Sequence, residues 1–154
     1  MVCVLLASCK MDYSAIRLAP PNEPVAHLAS GHNRLNGTPV YILGINGKKP
    51  GAHLGREVLI PAGRNTVKLR YTDGLNNSEV DFESDFAAGG YYIAEVSPDH
   101  SAKMAEFTFS RVSADAFQRF MCRAQADLQD RLKKVNPQPA PACDAIRQQK
   151  SAAS

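Results

Sequence analysis

The sequence predicts a mainly β protein: a seven-stranded antiparallel β-sandwich followed by one C-terminal amphipathic α-helix. Three observations predict it. Between residues 25 and 110, short β-rich runs alternate with turn signals, the mark of an all-β sandwich or barrel. After Ser113 the apolar spacing changes to the helical period. The chain has 154 residues, 44% of them hydrophobic, enough for one domain with a core and tails.

The chain starts with an address. Leu6-Ala7-Ser8-Cys9 has the form of a bacterial lipobox: Leu, two small residues, then Cys. On this reading residues 1–8 are a signal-peptide remnant, and the Cys9 thiol carries a diacylglycerol. No Lys or Arg precedes Cys9, and the apolar run is at the lower limit for a signal. Two readings stay open: a true start upstream of Met1, or a chance match in a cytosolic start or a short buried strand. No later run approaches the roughly 18 apolar residues that span a bilayer. The expected membrane partner is therefore reached through the anchor, whose two acyl chains hold where a single chain is marginal.

Residues 9–24 read as the lipidated Cys and a tether. Pro20, Pro21 and Pro24 fall here without periodicity, and a Pro-rich linker would hold a domain off a surface. The β domain is expected over 25–112, with strands at 25–29, 40–45, 57–60, 66–72, 79–86, 91–96 and 105–110. Asn46-Gly47 predicts a type I′ hairpin turn, whose two central residues need positive φ. Pro61-Ala62-Gly63 suits a type I turn with Pro second.

One hairpin predicts its own register. Val67, Leu69 and Tyr71 alternate with Lys68, Arg70 and Thr72. Val80, Phe82 and Phe86 share a strand with Glu79, Asp81, Glu83 and Asp85. Pairing Thr72 with Glu79 sets Arg70 opposite Asp81 and Lys68 opposite Glu83. The other face pairs Tyr71 with Val80 and Leu69 with Phe82. Such pairs each add about 0.2–1 kcal/mol. The acidic row has a competing reading as a cation site, but carboxylates flanked by Lys and Arg suit cross-strand partners. The 40–45 run is apolar on both faces and reads as a central strand. Of Tyr91 and Tyr92, one is expected in the core and the other exposed.

Phe117, Phe120, Met121, Ala124, Leu128 and Leu132 follow helical spacing, so a helix is expected over 113–135, with Ser113 as N-cap. It would close over an edge or face of the β domain. Residues 136–154 form a Pro-rich tail. With Cys3 lost and Cys9 lipidated, Cys122 and Cys143 remain, and an exported protein would join them in a disulfide. Such a loop stabilises by about 3 kcal/mol in the chain-entropy model.

The net charge is +3, too small to argue for nucleic acid. It is unevenly placed. Residues 111–154 hold eight Lys/Arg and four Asp/Glu, net +4, against −1 elsewhere. A solvated helix face explains this; contact with anionic headgroups or the cell wall is the sharper alternative. His27, His32, His53 and His100 are scattered, and none pairs with another at ligand spacing. No P-loop, nucleophile elbow, HExxH or Rossmann glycine pattern occurs. No cofactor or metal is expected.

Three segments carry a resemblance: Ile42-Leu43-Gly44-Ile45-Asn46-Gly47-Lys48, then Val58-Leu59-Ile60-Pro61-Ala62-Gly63-Arg64-Asn65-Thr66-Val67-Lys68-Leu69, then Ala88-Gly89-Gly90-Tyr91-Tyr92-Ile93. They resemble small bacterial lipoprotein domains of unknown function and, more distantly, the PEGA-type β module. Such domains end a strand in a DGK-like turn, follow with a Pro-Gly hairpin, and enter a strand through a Gly-x-x-Tyr signal. Asn46 stands here where Asp is usual, and Pro-Ala-Gly where Pro-Gly is usual. The resemblance implies an envelope binding or structural module and carries over no catalytic residue.

The expected function is thus a lipid-anchored envelope protein facing the periplasm from the outer membrane. Its β domain is non-catalytic and works by protein or envelope contact. Two alternatives remain: a periplasmic carrier of a small ligand or lipid, needing a cavity between the sheets, and a hydrolase built from dispersed residues.

Overall fold

The computed structural model describes residues 13–33, 37–51, 55–72, 77–99 and 104–132. Cys3, Cys9, His53, His100, Cys143 and the tail beyond residue 132 lie outside them. The elements in chain order are β1 (Ile16–Arg17), β2 (Val25–Asn33), β3 (Tyr41–Ile45), β4 (Val58–Pro61), β5 (Gly63–Thr72), β6 (Asn77–Phe86), β7 (Tyr91–Asp99), β8 (Met104–Val112) and α1 (Ala114–Leu132). The fold is mainly β, in two sheets with one C-terminal helix. One sheet has five strands in the order β1-β4-β2-β7-β8, the other three in the order β3-β5-β6.

The expectation of seven antiparallel strands is corrected in two ways. There are eight strands among the described residues, and the larger sheet is mixed. β1 runs parallel to β4, and β2 runs parallel to β7. The chain leaves β2, builds the smaller sheet and adds β4 to the larger one on the way, and returns to lay β7 beside β2. A parallel pair requires such a long crossover, because a tight hairpin joins only antiparallel strands.

The two sheets face each other across one core. Ala26 and Leu28 of β2, Val58 and Ile60 of β4, and Tyr92, Ala94 and Val96 of β7 meet Ile42, Ile45, Val67, Leu69 and Phe86 of the smaller sheet. Full burial of a Leu, Ile or Phe side chain is worth about 1.5–3 kcal/mol. Phe86 stands edge-on to Tyr92 and to Phe109, with ring centroids 5.0 and 5.1 Å apart. The alternate residues of β2 and β7 point the other way. There Ala29 and Ile93 form a second cluster with Phe117 and Met121 of α1. The helix therefore covers the outer face of the five-stranded sheet, and β2 and β7 are buried on both sides. Double burial gives continuous apolar runs rather than clean alternation, which is why 91–96 does not sort by pattern. Tyr92 lies in the core. Tyr91 is half-buried under the helix rather than exposed.

The helix begins as its sequence requires. Ser113 Oγ accepts the Ala116 N–H at 3.1 Å, and the Ser113 carbonyl accepts the Phe117 N–H at 2.9 Å. At Asn46-Gly47 the φ angles are 48° and 76°, and Ile45 and Lys48 exchange both backbone bonds at 2.8 and 2.9 Å. That is the geometry a two-residue type I′ turn demands. Pro61-Ala62-Gly63, in contrast, makes no hairpin. β4 and β5 belong to different sheets, so the segment is a corner where the chain changes layer. Gly31 lies where β2 shifts register against β7. A Cβ there would stand 2.3 Å from the Ala94 carbonyl oxygen, so only glycine fits.

The expected tether is also shorter than its prolines suggest. Ile16 N–H donates to the Glu57 carbonyl and Leu18 N–H to the Leu59 carbonyl, both at 2.8 Å. Ala19 is buried. The Arg17 guanidinium donates to the carbonyls of Pro20, Pro21 and Glu23 at 2.8, 3.1 and 2.9 Å. The prolines curl around an arginine that satisfies their carbonyls. From Ile16 onward the chain is part of the domain.

Candidate functional site

The outer face of the three-stranded sheet carries the charged residues that the sequence singles out. Alternation on β5 sends Val67 and Leu69 into the core and Arg64, Lys68 and Arg70 outward. On β6 it sends Phe82 and Phe86 inward and Glu79, Asp81, Glu83 and Asp85 outward. Faces follow the expectation, but the register does not. Arg70 lies opposite Glu79, Lys68 opposite Asp81, Leu69 opposite Val80 and Val67 opposite Phe82. The expected pairs of Arg70 with Asp81 and Lys68 with Glu83 are therefore corrected by two residues. A two-residue slip preserves strand parity, so it keeps both charge and apolar alternation intact. The pattern alone could not separate the two registers.

Three ion pairs link the rows. Arg70 Nε and Nη2 donate to Glu79 Oε1 at 3.0 and 2.6 Å. Arg64 Nε donates to Glu83 Oε2 at 3.1 Å, a diagonal contact. Lys68 Nζ stands 3.7 Å from Asp81 Oδ2, the loosest of the three. The hydrogen bond from Arg70 holds the Glu79 carboxyl below its ordinary value. The hydrogen bond to Glu83 raises the Arg64 guanidinium, helped by the charges of Glu83 and Asp85. Three of the four acids, Glu79, Asp81 and Glu83, thus each meet a cation. Among the described residues no group of three His, Cys, Asp or Glu side chains is placed to hold a metal ion.

A groove of about 470 Å³ runs over this face. Leu43, Gly44, Gly47, Lys49, Thr66, Lys68, Arg70, Glu79 and Asp81 line it. Gly44 lies opposite Lys68 beside the bulge in β3, and its missing side chain leaves the space. A Cβ there would meet only ordinary contacts at 3.6 Å. Lys49 enters the groove with no carboxylate partner among the described residues. Tyr41, 39% exposed, stands opposite Arg70 on the same sheet. The groove presents one cationic and one anionic wall. It suits a segment that carries both charges.

A second polar group lies under the helix side of the larger sheet. His27 Nδ1 is hydrogen-bonded to Glu57 Oε1. The imidazole stacks on Tyr91 with centroids 4.2 Å apart, and Tyr91 packs on Phe117 at 5.2 Å. Antiparallel pairing of β2 with β4 sets His27 opposite Leu59. Glu57 then falls two residues away on the same face. Thirty residues separate the two in sequence, so no local motif could reveal them. A carboxylate on Nδ1 is also what a Ser–His–acid triad uses, with the nucleophile on Nε2; here the imidazole meets Glu57 and the ring of Tyr91.

Cys122 is half-buried on α1, and its expected partner Cys143 lies outside the described residues. Among the described residues there is no disulfide. No described helix is long and apolar enough to cross a membrane. No protein-family model, curated protein or solved structure matches this chain.

Proposed function

We propose that this is a lipid-anchored bacterial envelope protein, held at the outer membrane and facing the periplasm, whose β domain works by contact rather than catalysis. The observation that carries the reading is Leu6-Ala7-Ser8-Cys9. The domain that follows is two packed sheets, the larger closed on its outer side by a helix, and the PEGA-like resemblance of its turn segments is in keeping with a binding or structural module. Its contact surface is the charged groove on the three-stranded sheet. A carrier would need space between the sheets, but Leu28, Ile60, Leu69 and Phe86 fill that region at 1% exposure or less.

The test is metabolic labelling with a palmitate analogue, with the gene expressed in its native genomic context. The wild type should take up label and Cys9→Ala should not. Equal label in both would overturn the reading. Export would also oxidise Cys122 and Cys143 to a disulfide. The non-reduced mass should then lie about two daltons below the dithiol value, since bridging removes two protons.

A further inference from the structure

We infer that the free edge of β6 takes, as an added strand, an extended segment of another protein that alternates apolar residues with Lys or Arg. Such docking rests on the reading of the domain as a contact module, and not on Cys9. Among the described residues β6 is bonded to β5 alone and β8 to β7 alone. Every second residue of an edge strand turns its N–H and C=O outward, a template for a further strand. Shortness, bulges and proline are the usual protections of such an edge. β1 has two residues, and β3 has five with a bulge. β6 runs ten residues against β5 with no shift of register and contains neither Pro nor Gly.

The two faces of β6 define what fits beside it. One face carries Glu79, Asp81, Glu83 and Asp85, all exposed. Asp81 and Glu83 keep more than half of their side-chain surface in water, and Asp85 forms no ion pair among the described residues. The other face carries Val80 and Phe82, both half-buried. Phe82 reaches Phe107 and Phe109 of β8, and Phe107 meets Tyr71 at 5.1 Å; these rings too are half-buried. The free edges of both sheets thus lie on one side, with a partly exposed aromatic seam between them. A strand laid along β6 would alternate its side chains between the two faces, apolar groups toward the seam and cations beside the acids. β5 already does this on the other edge. Its Val67 and Leu69 lie opposite Phe82 and Val80, and its Lys68 and Arg70 opposite Asp81 and Glu79. A second copy of β6 added with its faces matched would set acid against acid, which is destabilising. Residues 133–154 contain Pro137, Pro139 and Pro141 and no such alternation, and Pro has no N–H to give to a ladder.

The experiment titrates the isotope-labelled full chain with a capped peptide of about seven residues that alternates Val and Lys. The controls are a Val/Glu peptide and a Val/Lys peptide with its lysines grouped at one end. The alternating Val/Lys peptide should bind and slow deuterium exchange at alternate amides of β6. Both controls should bind at least about tenfold more weakly. Asp81→Asn, Glu83→Gln and Asp85→Asn together should weaken the Val/Lys peptide by a similar factor. The amide spectrum of that variant should stay that of the parent, because exposed ion pairs hold little stability. The palmitate label decides Cys9 separately, so loss of docking and loss of lipidation read out apart. Equal affinity for the peptides, protection on β8 instead of β6, or β6 amides that all exchange slowly before peptide is added would each overturn the inference. Concentration-dependent dimerisation that protects the same amides would assign the edge to a second copy and overturn it as well.

Discussion

Asn46 does two things that an aspartate in its place could not do together. Its Oδ1 accepts the Thr66 N–H at 2.9 Å, and its Nδ2 donates to Asn65 Oδ1 at 2.7 Å. Asn65 is buried, and its own Nδ2 donates to the carbonyls of Pro61 and Gly63 at 2.9 Å each. The two amides tie the type I′ turn to the corner where the chain changes sheet. This pair gives a physical reason for Asn at position 46. Asn46→Asp keeps φ and the acceptor, but sets a carboxylate against a carbonyl oxygen. It should cost about 1 kcal/mol, and Asn65→Ala about 1–3 kcal/mol by stranding buried carbonyls. Urea midpoints at unchanged slope measure both. An Asn46→Asp protein as stable as the parent would remove the donor role from the explanation.

At the scale of the element, the β5–β6 hairpin shows what the sequence carries and what it leaves open. Alternation assigned the faces, since Phe86 is buried and the acidic row is exposed. Alternation could not choose between registers two residues apart, because Arg70 finds an acid at either Glu79 or Asp81. Phe82 is only half-buried, reaching Phe107 and Phe109 at 6.5 and 5.5 Å, whereas Phe86 is 1% exposed. Phe86→Ala should therefore lose about 3–5 kcal/mol, and Phe82→Ala clearly less; the reverse order would contradict the packing. The observed register also has a pH signature. Arg70 holds the Glu79 carboxyl below its ordinary 4.5, so its folded value is lower than its unfolded one. That stabilisation is complete above 4.5 and disappears as pH falls through the folded value. Stability measured along the acid limb should depend less on pH in Glu79→Gln than in the parent. Equal slopes would remove Glu79 from the acid response.

At the scale of the whole molecule, the described residues form three layers, and the least legible parts are those that join them. All seven strands expected from pattern occur, because each carries its own alternation or apolar run. β1 escaped because two residues, Ile16 and Arg17, just ahead of Pro20 and Pro21 are too few to carry a period. Parallel pairing of β2 with β7 escaped because its determinants lie more than sixty residues apart. The His27–Glu57 contact escaped because its partners lie thirty residues apart, with no local motif joining them. One column nevertheless crosses from sheet to helix: Glu57 to His27, His27 on Tyr91, Tyr91 on Phe117. Phe117 is fully buried and, with Met121, is the helix's main hold on Ala29 and Ile93. If the layers form one cooperative unit, truncating Phe117 must weaken the sheet as well as the helix. Phe117→Ala should lower stability by about 3–5 kcal/mol, with tyrosine fluorescence and far-ultraviolet circular dichroism reporting one coincident transition. Helix loss at low denaturant, followed by sheet unfolding at the parent midpoint, would show instead that α1 is an independent cover.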